Sequence, residues 1–269
     1  MTILVTGATG NVGRLVVDEL LALGATGVRA LTTNPAKAAL PPSVEVVEGY
    51  LSDVSTMPAA LAGVQRMYLA PLIRTNDEVC RLAAAAGVGH IVDMAGAKGD
   101  HWHAIEDGVE ACGLPYTHLE PGEFMTNATI WAAQIQAGDE VRDVYGDAAN
   151  APIALEDIAA VAARILVDGG HEGASYPLTG PESLTRRDRV RQIGAALGRD
   201  LTYIELDRDA GIQQLSLVMG EYAEWYVDGA ATLVDHPQPA NQLVAELTGR
   251  AAMTFAVWAR RHRALFENG

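Results

Sequence analysis

Cysteine is scarce, with two residues in a chain of 269. Cys80 and Cys112 are too few for the disulfide framework of a small secreted domain and too far apart in sequence for a zinc pattern. Both read as small buried hydrophobes. Long apolar runs are missing too, and none approaches the roughly 20 residues that span a bilayer. The opening Met-Thr-Ile-Leu-Val-Thr carries no basic region, long apolar stretch or cleavage pattern, so a cytoplasmic protein with no membrane partner is expected. Basic side chains are in deficit, 19 against 34 acidic, for a formal charge of −15. Nucleic-acid affinity comes largely from neutralised phosphates, so this field excludes a nucleic-acid partner. The cluster Arg260-Arg261-His262-Arg263 reads as the complement of a helix dipole. There is neither an internal repeat nor a low-complexity linker.

What is present is a globular balance of 49% hydrophobic and 20% charged residues. The length suits one large α/β domain, or a larger domain with a smaller partner. Short β-branched runs alternate with helical stretches through the first half. Strands are expected at Ile3 to Val5, Val28 to Leu31, Val44 to Val47, Val64 to Ala70, Ile91 to Met94 and Tyr116 to Leu119. Helices fit over 11–23, 56–62, 75–87 and 101–112, the first with Val12, Leu15, Val16, Leu20 and Leu23 at three- and four-residue spacing. Apolar strands alternating with helices predict a parallel sheet covered on both faces. Beyond Gly122 the pattern predicts a helix over 123–136, a strand at Pro152 to Leu155, a helix over 156–167, a strand at Tyr176 to Leu178 and mostly helix after 186. The expected fold is α/β, a Rossmann-type doubly wound parallel sheet over residues 1–150. A smaller, mainly helical substrate or lid region over 151–269 is partly interleaved with it.

Gly7-Ala8-Thr9-Gly10-Asn11-Val12-Gly13 lies between the first strand and an amphipathic helix. In that context the first glycine permits a tight turn and the second lets backbone approach a pyrophosphate. The third brings helix and strand close together. Free amides at the helix start then face negative charge. The turn predicts a bound nicotinamide dinucleotide. After the second strand the segment Thr32-Thr33-Asn34-Pro35-Ala36-Lys37 has no carboxylate to hold ribose hydroxyls. Thr33 and Asn34 suit a 2′-phosphate, with Lys37 and Arg14 as charged candidates, so NADP(H) is favoured over NAD(H). The alternative, that Lys37 and Arg14 are solvated helix residues, stands beside it.

With these motifs the sequence resembles the NmrA-like family of atypical short-chain dehydrogenases/reductases along its whole length. Gly113-Leu114-Pro115-Tyr116-Thr117 and Pro121-Gly122-Glu123-Phe124-Met125-Thr126-Asn127 are similar to the family's sixth strand and the loop beside the nicotinamide. Glu156-Asp157-Ile158-Ala159 resembles its Asp-Ile-Ala helix, and Leu178-Thr179-Gly180-Pro181-Glu182 and Thr248-Gly249-Arg250 match further signatures. The resemblance implies that Ala70, Pro71, Leu72, Met94, Ala95, Pro121, Gly122 and Phe124 surround the nicotinamide. It places Tyr50 and Leu51 at the adenine, with Tyr50 where the family usually has an aspartate. The family contains quinone and dye reductases, aromatic-compound reductases and redox-sensing regulators.

The departures restrict the chemistry. Ile91-Val92-Asp93-Met94-Ala95-Gly96 lacks the serine of the family's common Ser, Tyr or Lys relay, and the segment from His101 to Glu106 has neither Tyr nor Lys. Glu120 replaces a common arginine. Asp100, His101 and His103 open a helix near the expected nicotinamide face, and His103 is the preferred proton donor, with Asp93 as a second candidate. Against these roles stand surface histidines and a turn-capping aspartate. No third ligand is spaced to complete a metal site. Phe124, Met125, Trp131, Met219, Tyr222, Trp225 and Tyr226 are candidates to line an apolar pocket for a flat substrate, or to pack a core. Three functions fit. One is an NAD(P)H-dependent reductase passing hydride to a small conjugated or aromatic acceptor such as a quinone. The others are a dinucleotide sensor without turnover and a non-redox isomerase or cyclase. The oligomeric state is left open.

Overall fold

The structure, a computed structural model, describes residues 1–96 and 101–267. Its first part runs β1 (Ile3–Val5), α1 (Asn11–Ala22), β2 (Val28–Thr32), β3 (Glu45–Glu48), α2 (Met57–Leu61), β4 (Arg66–Leu69), α3 (Asn76–Ala85), β5 (His90–Met94), α4 (Ala104–Ala111) and β6 (Tyr116–Pro121). It continues with α5 (Ala132–Ala137), β7 (Glu140–Asp143), β8 (Ala149–Asn150), α6 (Leu155–Asp168), β9 (Ala174–Leu178), β10 (Leu184–Thr185) and α7 (Arg186–Leu197). The chain ends with β11 (Thr202–Glu205), α8 (Arg208–Met219), α9 (Ala223–Asp235), α10 (Leu243–Thr248) and α11 (Phe255–Arg261). Arg260 and Arg261 lie in the last turn of α11, where their charge opposes the helix dipole.

The residues form two compact units, the first of Met1–Gly122, Leu155–Leu178 and Leu243–Arg250. It holds a seven-stranded sheet in the order β3-β2-β1-β4-β5-β6-β9, parallel throughout. Hydrophobic burial explains the two covers. Leu4, Leu31, Met67, Leu69 and Ile91 point into a core closed by Met57 and Leu61 of α2, Val79 and Cys80 of α3, and Ile105 and Val109 of α4. On the other cover α6 packs against α1, and nine of its fourteen residues are buried. Arg66, at the start of β4, donates to the carbonyls of Leu166 and Val167 and so satisfies the carboxyl end of α6.

The second unit comprises Glu123–Ala154, Thr179–Gln242 and Ala251–Gly269. Its core gathers Trp131, Ile135, Val141, Ile193, Phe255, Trp258 and Phe266. Helix α7 starts at a capping box in which Thr185 and Asp188 satisfy each other's amides, and ends at Gly198 in the left-handed region. A single cut at residue 150 therefore does not describe how contacts group the residues. Helix α6 and β9 follow that point in sequence but belong to the sheet unit, because their apolar faces are buried there.

Strands β7, β8 and β10 are not among the expected elements, and three expected elements take another form. The strand expected at Pro152 to Leu155 is instead an isolated bridge from Ile153 to Phe124, with Leu155 already opening α6. The helix over 123–136 divides into a 3-10 turn at Met125–Trp131 and then α5. The helix over 101–112 likewise begins as a 3-10 turn at His101–His103.

Candidate functional site

Because the sheet is parallel, the segments that follow its strands emerge at one edge. Gly7 to Arg14 follow β1, Thr33 to Lys37 follow β2, and Tyr50 and Leu51 follow β3. Ala70, Pro71 and Leu72 follow β4, Met94 and Ala95 end β5, and Pro121 and Gly122 end β6. Strand order reverses between β1 and β4, the switch point where open α/β sheets bind ligands. Thr6, fully buried, fastens the two strands there. Its Oγ1 donates to the Tyr68 carbonyl at 3.0 Å and accepts from the Ala70 amide at 2.8 Å.

The glycine turn has the shape of a cradle. Gly7 has φ +58°, in the left-handed region, and a Cβ on it would meet the Ala70 Cβ at 3.0 Å. A Cβ on Gly13 would lie 2.2 Å from the Gly7 carbonyl oxygen, so any larger residue would push α1 off β1. Gly10 is the N-cap of α1 and makes no side-chain cap. The first-turn amides therefore have no competing side-chain acceptor from that residue, which is what a phosphate requires. Thr9 and Thr32 hydroxyls lie 3.3 Å apart beside the turn.

Beyond β2, Thr33, Asn34 and Lys37 are exposed. Asn34 Oδ1 accepts from the Lys37 amide at 3.2 Å, capping a 3-10 turn. Arg14 has local partners, Asp18 at 3.2 Å and the Ala39 carbonyl at 3.2 Å. Such an exposed pair is weak and leaves the guanidinium available to a stronger anion. Tyr50 is exposed and Leu51 buried.

The two catalytic candidates differ sharply. His103 is half-buried at the start of α4, its Nδ1 3.1 Å from Glu106 Oε2 and its Nε2 3.7 Å from Asp107 Oδ1. Asp93 is fully buried. It lies opposite His118 in the β5–β6 register, and His118 Nδ1 donates to Asp93 Oδ2 at 2.7 Å. Burial pushes the Asp93 carboxyl up, against the lowering pull of His118. Burial alone would depress His118, but its hydrogen bond to Asp93 and the charges of Asp93, Glu106 and Glu110 outweigh this and raise it. Asp93 is thus the partner of an interior histidine, neither a turn cap nor an acid open to substrate. Asp100 lies outside the described residues. Glu106, buried with its pKa raised mainly by burial, and His118 were not singled out from sequence. For His118 the available signal was a polar residue in each of two adjacent apolar strands, which requires a partner in a doubly covered sheet.

The seven aromatic-pocket candidates do not share one environment. Met125 and Trp131 are interior residues of the second unit, so they pack its core and do not line an open pocket. Trp131 Nε1 donates to Asp143 Oδ2 at 2.6 Å. Phe124 is half-buried beside Ile153, and Met219 and Tyr226 are half-buried. Tyr222 and Trp225 are 64% and 65% exposed, their helical face left without an interior partner.

Tyr226 belongs to a charged network that the sequence did not reveal. Its hydroxyl donates to Glu123 Oε1 at 2.6 Å, and Arg189 lies 2.9 Å from Glu123 Oε2, which also accepts from Asn150. Arg186 pairs with Asp143, and its guanidinium stands 5.5 Å from the Trp131 ring centroid and 5.3 Å from that of Tyr226. Burial alone would raise the Glu123 pKa, but Arg189 and Arg186, aided by Tyr226 and Asn150, hold it at about 2. The signal for this network was the placement of Arg186 and Arg189 on the same helical face as buried Val190 and Ile193. Among the described residues no His/Cys/Asp/Glu group is arranged to hold a metal ion.

A family described as NAD(P)H-binding matches residues 7–169, which span the glycine turn and most of the sheet. The chain belongs to that family. A reductase of (4-alkanoyl-5-oxo-2,5-dihydrofuran-3-yl)methyl phosphate from Streptomyces griseus is 36% identical over 98% of this chain and 99% of its own. An NAD(P)H azoreductase from Xenophilus azovorans is 31% identical over the same shares. Among solved structures, an NADPH-dependent quinone oxidoreductase from Escherichia coli superposes with a TM-score of 0.85 at 25% identity, over 97% of this chain and 99% of that one. These likenesses agree with the NmrA-like resemblance and with the Rossmann-type fold.

Proposed function

We infer that this member of the NAD(P)H-binding family is an NAD(P)H-dependent reductase of small conjugated or aromatic acceptors. The observation that carries the reading is the cradle itself. Gly7, Gly10 and Gly13 leave backbone and first-turn amides open at the switch point of a parallel sheet, and a side chain on Gly13 would close it. The relatives' names support the acceptor class, since azo, quinone and oxo-dihydrofuran groups are all conjugated. When bound, the reduced nicotinamide supplies the hydride. The protein supplies position and proton. Gly10 to Gly13 would hold the pyrophosphate, with Met94, Ala95, Pro121 and Gly122 beside the nicotinamide and Ala70 to Leu72 on its β4 side.

His103 is the proposed proton source, since it is half-buried and Glu106 lies against its Nδ1. A conjugated acceptor such as a quinone tolerates the missing Ser, Tyr or Lys relay, because its reduced oxygen takes a proton from one histidine or from solvent. NADPH is the proposed nucleotide. No carboxylate follows β2, while Thr33, Asn34 and Lys37 are exposed there. No helix among the described residues is long and apolar enough to cross a membrane. Placement in the cytoplasm belongs to the proposal.

The test is oxidation of NADPH and NADH across quinones and an azo dye, with wild type and Lys37→Glu. We expect NADPH to be preferred by about tenfold in kcat/KM, about 1.4 kcal/mol, and Lys37→Glu to remove that margin. Equal use of both nucleotides by wild type would end the NADPH assignment. Heat protection by both nucleotides without consumption of either would replace the reductase by a sensor.

A further inference from the structure

The two cysteines, 32 positions apart in sequence, meet in the fold. Helices α3 and α4 follow parallel strands on one side of the sheet, so they run in the same direction. They approach closely at Gly108, where a Cβ would lie 2.3 Å from Asn76 Nδ2 and 2.4 Å from Asp77 Oδ1. The Asn76 amide also donates to the Ile105 carbonyl at 2.9 Å, fixing the alignment of the two helices. One turn beyond Asn76 is Cys80, and one turn beyond Gly108 is Cys112, so each cysteine follows the close contact by one turn on its own helix. Both belong to the same apolar cluster, Cys80 fully buried and Cys112 half-buried against it. The Cys80 thiol donates to Asn76 Oδ1 at 3.9 Å and the Cys112 thiol to the Val109 carbonyl at 2.9 Å, weak local bonds that each lie within one helix. A disulfide needs Cα atoms about 4.4–6.8 Å apart, which only closely approaching helices supply.

We propose that Cys80 and Cys112 are a reversible dithiol–disulfide site, oxidised by a peroxide. Burial is the largest cause raising the Cys80 thiol pKa, with Cys112, Asp93 and Asp77 adding to it, so Cys80 is a poor first target. Cys112 is the less buried of the two. The peroxide O–O bond breaks, one oxygen transfers to Cys112 to give a sulfenic acid, and the other leaves as water. Cys80 Sγ then attacks that sulfur. The S–O bond breaks, the S–S bond forms, and the Cys80 proton leaves with the hydroxyl as a second water. Two thiols are oxidised and one peroxide is reduced. A dithiol reverses the bond by exchange. Reversible intramolecular oxidation of this kind suits a reducing compartment better than a permanent structural disulfide.

The experiment treats the full-length protein with hydrogen peroxide, then measures intact mass and titratable thiols in denaturant. We expect the monomer to lose about 2 Da, both thiols to disappear together, and dithiothreitol to restore both. Cys112→Ser should leave the Cys80 thiol untouched by peroxide. Cys80→Ala, its fold checked by circular dichroism, should stop at a Cys112 sulfenic acid that dimedone traps. Addition of about 16 Da to the wild type with Cys80 still titratable would overturn the proposal, as would a disulfide-linked dimer.

Discussion

Glu123→Gln isolates the charge at the centre of the second unit's network. The substitution keeps the shape and one acceptor oxygen for the Tyr226 hydroxyl, but puts an amide NH2 where Oε2 accepted from Asn150 and Arg189. The side chains of Glu123 and Arg189 are only 11% and 3% exposed, so solvent does little to screen the loss. The magnitude follows from the pKa. Holding Glu123 at about 2 against the ordinary 4.5 corresponds, at 1.36 kcal/mol per pH unit, to about 3 kcal/mol at neutral pH. Stranding a buried arginine independently costs about 3–5 kcal/mol. The sign is set by a depressed folded pKa. The contribution is complete above pH 4.5 and disappears as pH falls toward 2. Urea unfolding followed by tryptophan fluorescence reads it, since Trp131, Trp225 and Trp258 lie in that unit. At pH 7 the variant should unfold at a midpoint lower by about 1 M. The gap should narrow below pH 4.5 and close near pH 2. Equal midpoints at pH 7, or a gap unchanged down to pH 2, would refute the assignment of the charge to this network.

Two further contrasts test the other unit. Gly10→Asp should abolish dinucleotide binding with a much smaller loss of stability than Gly13→Ala, because Gly10 is exposed, has the ordinary φ of −84°, and its Cβ would stand 3.2 Å from the Gly7 oxygen. Gly13→Ala should lose both, since its Cβ lands 2.2 Å from the Gly7 oxygen; calorimetric titration with NADPH and thermal melts separate the two. His103→Gln should lower turnover of a quinone by about 10²-fold with nucleotide affinity intact, the loss of a general acid. Asp93→Asn should instead lower stability by about 1–3 kcal/mol, because buried His118 loses its carboxylate. Unimpaired turnover in His103→Gln would move the proton source to solvent.

Periodicity and turn chemistry are local properties, and what depended on them was legible in the sequence: the strand–helix alternation, the parallel sheet and the glycine cradle. The cradle was readable because Gly7, Gly10 and Gly13 act on backbone within seven residues of one another. The residues assigned to the nicotinamide came from family likeness, and parallel topology then explains why the segments at Ala70, Met94 and Pro121 reach one edge. Strand register, which no local pattern encodes, decided the rest. It set Asp93, a candidate for a turn cap or a site acid, opposite His118 as its hydrogen-bond partner. Helix packing put Cys80 and Cys112 in one apolar cluster, and burial placed Met125 and Trp131 in a core while leaving Tyr222 and Trp225 exposed. A helical stripe of aromatics looks the same in sequence whether it faces a core, a ligand or water. Only the elements packed around it determine which, because burial and charge pairing are properties of neighbours in space.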